Sequence, residues 1–223
     1  MKWVVVTIVA IVAIVWMVGH RSRLFSTCFF DTETTYPELT RTLLTDEVWS
    51  ELMASEEADL WVPWPEPLAN RTRNWNTLPL YGFGHFTKET DRFPRLTQRL
   101  RQLLPTLQLA TFSRLSPGTR LSPHCGWASH SNDVLRSHLL LRRPRRRGTC
   151  SLHVDNETHV YDQVGEWITF DDSKLHWAQN VDEEDDRIVL IVDMKRPPHI
   201  PRGQSTSPDS TELQEFVKTH QKS

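Results

Sequence analysis

The chain has 223 residues, with 26 basic against 28 acidic side chains and a formal net charge of -2. That length allows one domain of ordinary size with a real core, and a composition of 38% hydrophobic and 24% charged residues excludes both a disordered tail and a multi-span membrane protein. Near-neutral charge argues against nucleic-acid binding as the main function, and three cysteines without a C-x-x-C pair exclude a disulfide scaffold and a structural zinc finger.

The chain opens Met1-Lys2 and then carries no charge from Trp3 to Val18. As a helix this run spans roughly 24 Å, close to a thin bilayer's hydrocarbon core. It reads as an uncleaved single-pass anchor over residues 1–23; a cleaved signal peptide is the alternative, though no A-x-A site precedes His20-Arg21-Ser22-Arg23. Two sequons, Asn70-Arg71-Thr72 and Asn156-Glu157-Thr158, are usable only if the bulk of the chain is lumenal. The expectation is a type II protein of the endoplasmic reticulum, glycosylated on the lumenal side.

Residues 20 to about 36 read as a short polar stalk. From Pro37 to Ser55 the apolar positions Leu39, Leu43, Leu44, Val48 and Leu52 fall at helical spacing and predict one amphipathic helix. The Trp- and Pro-rich stretch Asp59–Pro67 predicts a packed loop. A second helix is expected over about Arg92–Leu104, with Phe93, Leu96, Leu100 and Leu103 on one face and Pro105 as its stop. Short β segments follow: Leu109–Leu115, Ser137–Leu141, Ser151–Val154 and Glu157–Tyr161 around an Asp155-Asn156 hairpin turn, Trp167–Phe170, Leu175–Gln179 and Ile188–Asp193. Many short strands after a helical prelude predict a mainly β sandwich or jelly roll with helices packed outside. The tail after Arg196 is expected to begin as a packed strap and end in disorder.

Two histidines stand out by context: His124, in Pro123-His124-Cys125-Gly126, and His176, five residues after Asp171. A jelly roll can bring two such strand ends to one barrel mouth. Arg187 leads the apolar run Ile188–Val192, and an Arg opening a buried strand needs an anionic partner, either a structural carboxylate or a bound dicarboxylate. A metal-dependent oxygenase needs histidine ligands with open coordination positions and a cation for an acidic cosubstrate. The usual H-x-D/E signature is broken here by Gly126, so spacing alone leaves two ordinary histidines beside a cleft as the competing reading.

The run from Phe112 to Gly126, then Arg136-Ser137-His138-Leu139, Trp167–Phe170, Asp171-Asp172-Ser173 with His176, and Arg187 with its strand to Asp193 together resemble the aspartyl/asparaginyl β-hydroxylase family. Trp75 with Thr77–Tyr81 is similar to the segment preceding that family's core. About three extra residues lie between Gly126 and Arg136. The resemblance implies a double-stranded β-helix core of jelly-roll, cupin-like form over residues 70–200, after a stalk and helical prelude over 24–69 and before a flexible tail over 201–223. It implies Fe(II), 2-oxoglutarate and O2 as cofactor and cosubstrates, and a metal held by only two histidines, with Gly at the carboxylate position. By position, His124 and His176 are the metal ligands, Arg187 and Ser113 hold the distal carboxylate of 2-oxoglutarate, and Arg136 and His138 lie close to it. Asp171 and Asp172 either orient His176 or cap a turn.

The expected activity is hydroxylation of the β-carbon of Asp or Asn in a protein, with EGF-like domains as the implied substrate class. The alternatives are hydroxylation of membrane-lipid acyl chains with the same cofactors, and a non-catalytic binding module. Cys125 is expected to be a buried thiol facing away from the metal, Trp75 and Trp127 to line a substrate channel, and the runs Arg142–Arg147 and Asp182–Asp186 to be solvated loops.

Overall fold

A strand that is apolar on both faces belongs in the middle of a structure, and the run after Arg187 takes that place. The computed structural model describes residues 25–55, 60–70, 74–82 and 84–220. The expected membrane segment, and Arg71 and Thr72 of the first sequon, lie outside the described residues. Among the described residues no helix is long and apolar enough to cross a membrane.

In chain order the elements are β1 (Phe29–Phe30), α1 (Thr32–Thr35), α2 (Pro37–Thr42), α3 (Thr45–Ala54), β2 (Val62–Pro63), β3 (Trp75–Gly82), β4 (His85–Phe86), a 3-10 turn over Lys88–Arg92, and α4 (Pro94–Gln102). There follow β5 (Leu107–Leu115), β6 (Thr119–Arg120), α5 (Ala128–Ser131), β7 (Val134–Arg142), β8 (Cys150–Val154), β9 (Glu157–Val160), β10 (Trp167–Phe170), β11 (His176–Asn180), β12 (Arg187–Lys195) and α6 (Thr211–His220). The larger sheet runs β1-β10-β7-β12-β5-β3-β2, with β4 paired to β3; the smaller runs β6-β11-β8-β9. The strands pair antiparallel throughout.

Side chains alternate across a strand, so β12 serves two cores. Ile188, Leu190, Val192 and Met194 join the cluster under α2, α3 and α4, which includes Leu39, Leu43, Val48, Leu52, Leu96 and Leu100. Val189 and Ile191 join the second cluster, between the sheets, with Leu115, Leu140, Leu152, Val154 and Phe170. The two polar ends of the same phase, Arg187 and Asp193, therefore sit inside the sandwich, at 2% and 0% exposure. The mainly β two-sheet architecture with outer helices is the one the sequence predicts.

Several boundaries differ from expectation. The single helix over Pro37–Ser55 is two, because Leu43 and Leu44 are extended (φ -106°, ψ 96° and φ -86°, ψ 128°). The break keeps Leu43 buried while Leu44 turns out to 47% exposure. In place of a free stalk, Phe29 and Phe30 pair with Phe170 and Thr169 at the edge of the larger sheet. The packed loop over Asp59–Pro67 contributes β2, bound to β3. The hairpin turn forms as expected, with Asp155 at φ 47°. The tail beyond Arg196 straps across the sandwich mouth: Gly203 N–H donates to Asn132 O, Ala128 N–H donates to Ser207 O, and Ser205 Oγ donates to Gly126 O at 2.5 Å. It then forms α6, which the sequence reading does not anticipate.

Candidate active site

His124 and His176 meet across an isolated antiparallel bridge, His124 N–H donating to His176 O at 3.0 Å and His176 N–H to His124 O at 2.8 Å. A directly opposed pair puts both side chains on one face, and the ring centroids are 4.3 Å apart. Each Nδ1 faces a backbone carbonyl two residues back: His124 to Ser122 O at 2.8 Å and His176 to Lys174 O at 2.9 Å. A carbonyl only accepts, so each Nδ1 carries the hydrogen and each Nε2 keeps a free lone pair, the form that binds a metal. Burial pushes the pKa of both imidazoles down, that of His176 well below its ordinary value, so both stay neutral at physiological pH.

Asp172 completes this end of the site. Its Oδ1 stands 3.3 Å from His176 Nε2 and 2.6 Å from Arg136 Nη1. Arg136 also makes a paired contact with Asp193, Nε to Oδ1 and Nη2 to Oδ2 both at 2.8 Å, and His130 Nε2 lies 2.8 Å from Asp193 Oδ2. A buried rail thus runs His130–Asp193–Arg136–Asp172–His176. Burial opposes the charge of Arg136, but Asp172 and Asp193 outweigh it and raise its pKa. Burial likewise favours a protonated Asp193, and Arg136 overrides it, holding that carboxyl far below the usual range. Asp172 is pushed up by burial, with Arg136 partly offsetting. Asp171 does something else: its Oδ1 accepts from Ser173 N–H and Oγ–H and pairs with Arg196, which caps the turn. The Asp171-Asp172 ambiguity therefore divides, one residue to the turn and one to the site.

Gly126 has a reason in the same geometry. A Cβ built on it would lie 2.0 Å from Asp172 Oδ2 and 2.7 Å from Ser131 Cβ. The Asp172 carboxylate fills the space that a side chain at position 126 would need.

In the cavity that the histidines line, Arg187 Nη2 reaches Ser113 Oγ at 3.4 Å, while its Nε and Nη1 have no hydrogen-bond partner. Among the described residues no carboxylate lies within ion-pair distance of Arg187, so of the two partners expected from sequence the structural carboxylate is absent there. Ser113 Oγ also accepts from Trp75 Nε1 at 3.0 Å, which leaves its own hydroxyl proton to donate. His138 is buried beside Arg187; its Nδ1 lies 2.6 Å from Tyr161 Oη, and its Nε2 is unpartnered. Two guanidinium donors and an imidazole nitrogen left open inside a protein cost free energy unless a ligand meets them. Ser113, His138, Arg187, His124 and His176 line one small cavity. The fit to an anionic cosubstrate beside a two-histidine metal is direct: the donors suit a carboxylate, and neutral imidazole nitrogens suit iron. Among the described residues no three His, Cys, Asp or Glu side chains form a metal-binding set.

Arg136 lines this cavity too, but its guanidinium nitrogens are engaged by Asp172 and Asp193. A second cavity of about 210 Å³ opens outward from His124 and Asp172, walled by Trp64, Trp75, Trp127, Leu109, Ile191 and Pro208. Its tryptophans form a ladder: Trp75–Trp64 centroids are 4.7 Å apart and Trp64–Trp127 5.8 Å apart. Glu66 ties the ladder together by accepting from the Nε1–H of Trp64 and Trp127 at 3.2 and 3.1 Å. Trp75 and Trp127 both line it. Cys125 also lines this cavity half-buried, rather than lying in the core. Asp193, Tyr161, His130, Trp64 and Glu66 escape the sequence reading; of these, only Asp193 carries a readable signal, a polar residue in phase with Arg187, Val189 and Ile191.

No curated protein matches the chain. Solved structures similar to it include a prolyl hydroxylase from Trichoplax adhaerens in complex with a hypoxia inducible factor peptide fragment (10% identity, 70% of this chain and 79% of that one covered, TM-score 0.49). A Pseudomonas putida prolyl-4-hydroxylase (17% identity, 70% and 89% covered, TM-score 0.45) and a viral collagen prolyl hydroxylase from Paramecium Bursaria Chlorella virus-1 (13% identity, 70% and 93% covered, TM-score 0.45) are also similar. The model of the aspartyl/asparaginyl β-hydroxylase family matches residues 44–197, more than half of the chain. That span holds both histidines, the Asp172 carboxylate and the Ser113–His138–Arg187 donors, and the chain belongs to the aspartyl/asparaginyl β-hydroxylase family.

Proposed function

We propose that the chain is an Fe(II)- and 2-oxoglutarate-dependent dioxygenase that hydroxylates the β-carbon of Asp or Asn residues in protein substrates. The observation that carries the reading is one cavity lined by His124 and His176 together with Ser113, Arg187 and His138, in which Arg187 Nε and Nη1 and His138 Nε2 are unpartnered. Fe(II), when bound with 2-oxoglutarate and O2, supplies the chemistry that turns a C–H into a C–OH, the cosubstrate leaving as succinate and CO2.

The chain's residues position and exclude. His124 and His176 hold the metal through Nε2, fixed in that tautomer by Ser122 O and Lys174 O. Arg187 and Ser113 bind the distal carboxylate of 2-oxoglutarate, whose charge relieves the buried guanidinium, and His138 Nε2 contacts the same cosubstrate. Arg136, anchored by Asp193, keeps the Asp172 carboxylate beside His176, where it would be available as a hydrogen-bond acceptor. The Trp75 indole, bound to Ser113, separates the cosubstrate cavity from the outer one and keeps bulk water from the reacting carbon. EGF-like domains are the substrate class we propose, with the chain anchored as a type II protein and its catalytic part in the lumen of the endoplasmic reticulum.

The tryptophan wall of the outer cavity favours a second reading, in which the acceptor is the acyl chain of a membrane lipid. Incubation of the chain with Fe(II), 2-oxoglutarate, ascorbate and either a folded EGF-like domain or lipid vesicles tests both. One added oxygen on an Asp or Asn residue, seen by mass spectrometry and lost in His176→Ala, supports the protein substrate; oxygen on the lipid alone replaces it.

A further inference from the structure

We propose that Tyr161 is a positioning residue of the cosubstrate pocket: its hydroxyl donates to His138 Nδ1 and so fixes His138 as the Nε2–H tautomer, which presents an N–H to a carboxylate held by Arg187. The inference deepens, and rests on, the dioxygenase reading.

Three observations carry it. The Tyr161 hydroxyl and His138 Nδ1 are 2.6 Å apart, with the two rings nearly parallel at 17°. Both residues are buried, at 1% and 5% exposure, so neither group turns to water. The other ring nitrogen, Nε2, has no partner and belongs to the side chain that lines the cavity with Ser113 and Arg187.

The direction of the bond follows from satisfaction. A phenol has one proton to donate, and a neutral imidazole has one N–H and one lone pair. The hydroxyl meets His138 Nδ1, and the Arg187 side chain that also interacts with it can only donate, so it takes no proton from the phenol. Were Nδ1 the donor, the phenol proton would be buried with no acceptor, a cost of roughly 1–3 kcal/mol. Were the phenol the donor, its proton is satisfied and the imidazole hydrogen goes to Nε2, facing the anion site. The Arg187 guanidinium, 5.2 Å over the Tyr161 ring, favours the same arrangement, because the cation attracts the oxygen lone pairs and repels the proton. Burial pushes the Tyr161 phenol up to about 12, so it keeps its proton. Burial, with Arg187 and Arg136 adding to it, holds His138 well below its ordinary value and therefore neutral. Tyr161 follows β9 and lies 23 residues from His138, so no local motif announces it.

The test uses the full chain, ¹⁵N-labelled and metal-free, with two-bond proton–nitrogen correlation spectra at neutral pH and a His138→Gln variant to assign the resonance. In parallel, calorimetry measures 2-oxoglutarate binding to the Mn(II)-loaded chain. The expected results are an Nε2–H tautomer for His138 in the wild type, its loss in Tyr161→Phe, and a Kd for 2-oxoglutarate that rises on the order of tenfold in Tyr161→Phe. In a His138→Gln background the same substitution should add nothing to Kd, whereas a purely structural role for Tyr161 would add its own cost. An Nδ1–H tautomer in the wild type, or an unchanged Kd in Tyr161→Phe, overturns the assignment. A wild type that binds no 2-oxoglutarate overturns the dioxygenase reading itself, and the tautomer spectrum separates that failure from the first.

Discussion

Arg187 is the most costly buried side chain of the site. A guanidinium at 2% exposure with two unpartnered nitrogens is expensive in a protein without ligand, and in the proposed function a bound carboxylate cancels that cost. Replacing it with an apolar side chain of similar length should therefore separate stability from function. Arg187→Met is predicted to raise the unfolding free energy of the ligand-free chain by about 1–3 kcal/mol while weakening 2-oxoglutarate binding at least a hundredfold. Urea melts with and without cosubstrate check both; a variant that is less stable and binds normally would mean that Arg187 is a structural ion pair. The residue was legible in the sequence for this very reason, a cation opening an apolar strand, as were His124 and His176 from their motif. Asp172 was only half legible: in Asp171-Asp172 the turn bond and the site bond are one position apart, and backbone direction decides which carboxylate faces inward.

At the scale of the element, β12 sets the site because its period-2 alternation sends Arg187 and Asp193 to the same interior face, six residues apart. Asp193 is in register with Arg136 of β7, and Ile191 with His138, so the strand pairing itself aligns the two positions that the family motif supplies. Cutting the rail at its fully buried member should be costly. Asp193→Asn is predicted to lower stability by about 3–5 kcal/mol, since it leaves the Arg136 charge under-compensated; chemical denaturation would read this, and a loss below 1 kcal/mol would show that the rail is not an ion network. The sequence predicted β12 almost to its boundaries but not this contact, because His130 and Asp193 are 63 residues apart and meet only through the fold. The split of Pro37–Ser55 into α2 and α3 is a similar limit: a helical repeat of leucines reads the same whether or not Leu43 goes extended to stay buried.

At the scale of the molecule, the chain folds around three histidines that stay neutral. His124, His138 and His176 all have depressed pKa values, from burial first, with Arg187 and Arg136 adding to it at His138. In the unfolded chain each takes a proton below about pH 6.5; in the folded chain each resists it. The unfolded state thus binds more protons, and the contribution of these groups is fully present above pH 6.5 and lost as pH falls below it, by up to about 1.4 kcal/mol per pH unit for each. Asp172, raised by burial, acts the opposite way, but it is one group against three. The denaturation midpoint of the metal-free chain is therefore predicted to fall between pH 7.5 and 5.5, and less steeply in His138→Gln; a flat profile would mean that these imidazoles are solvated. The basic and acidic runs that looked conspicuous in the sequence lie side by side, Arg142 and Arg145 within 3.9 Å of Asp185, and such exposed pairs add little.

The most direct test of the central claim, a two-histidine iron site sharing one cavity with a 2-oxoglutarate pocket, is anaerobic absorption spectroscopy of the full chain titrated with Fe(II) and then 2-oxoglutarate. A visible metal-to-ligand charge-transfer band is expected that needs both additions, disappears in His176→Ala and is weakened in Arg187→Met. No band from a folded chain shown to bind Fe(II) would contradict it, and the chain would then be a binding module of the same fold.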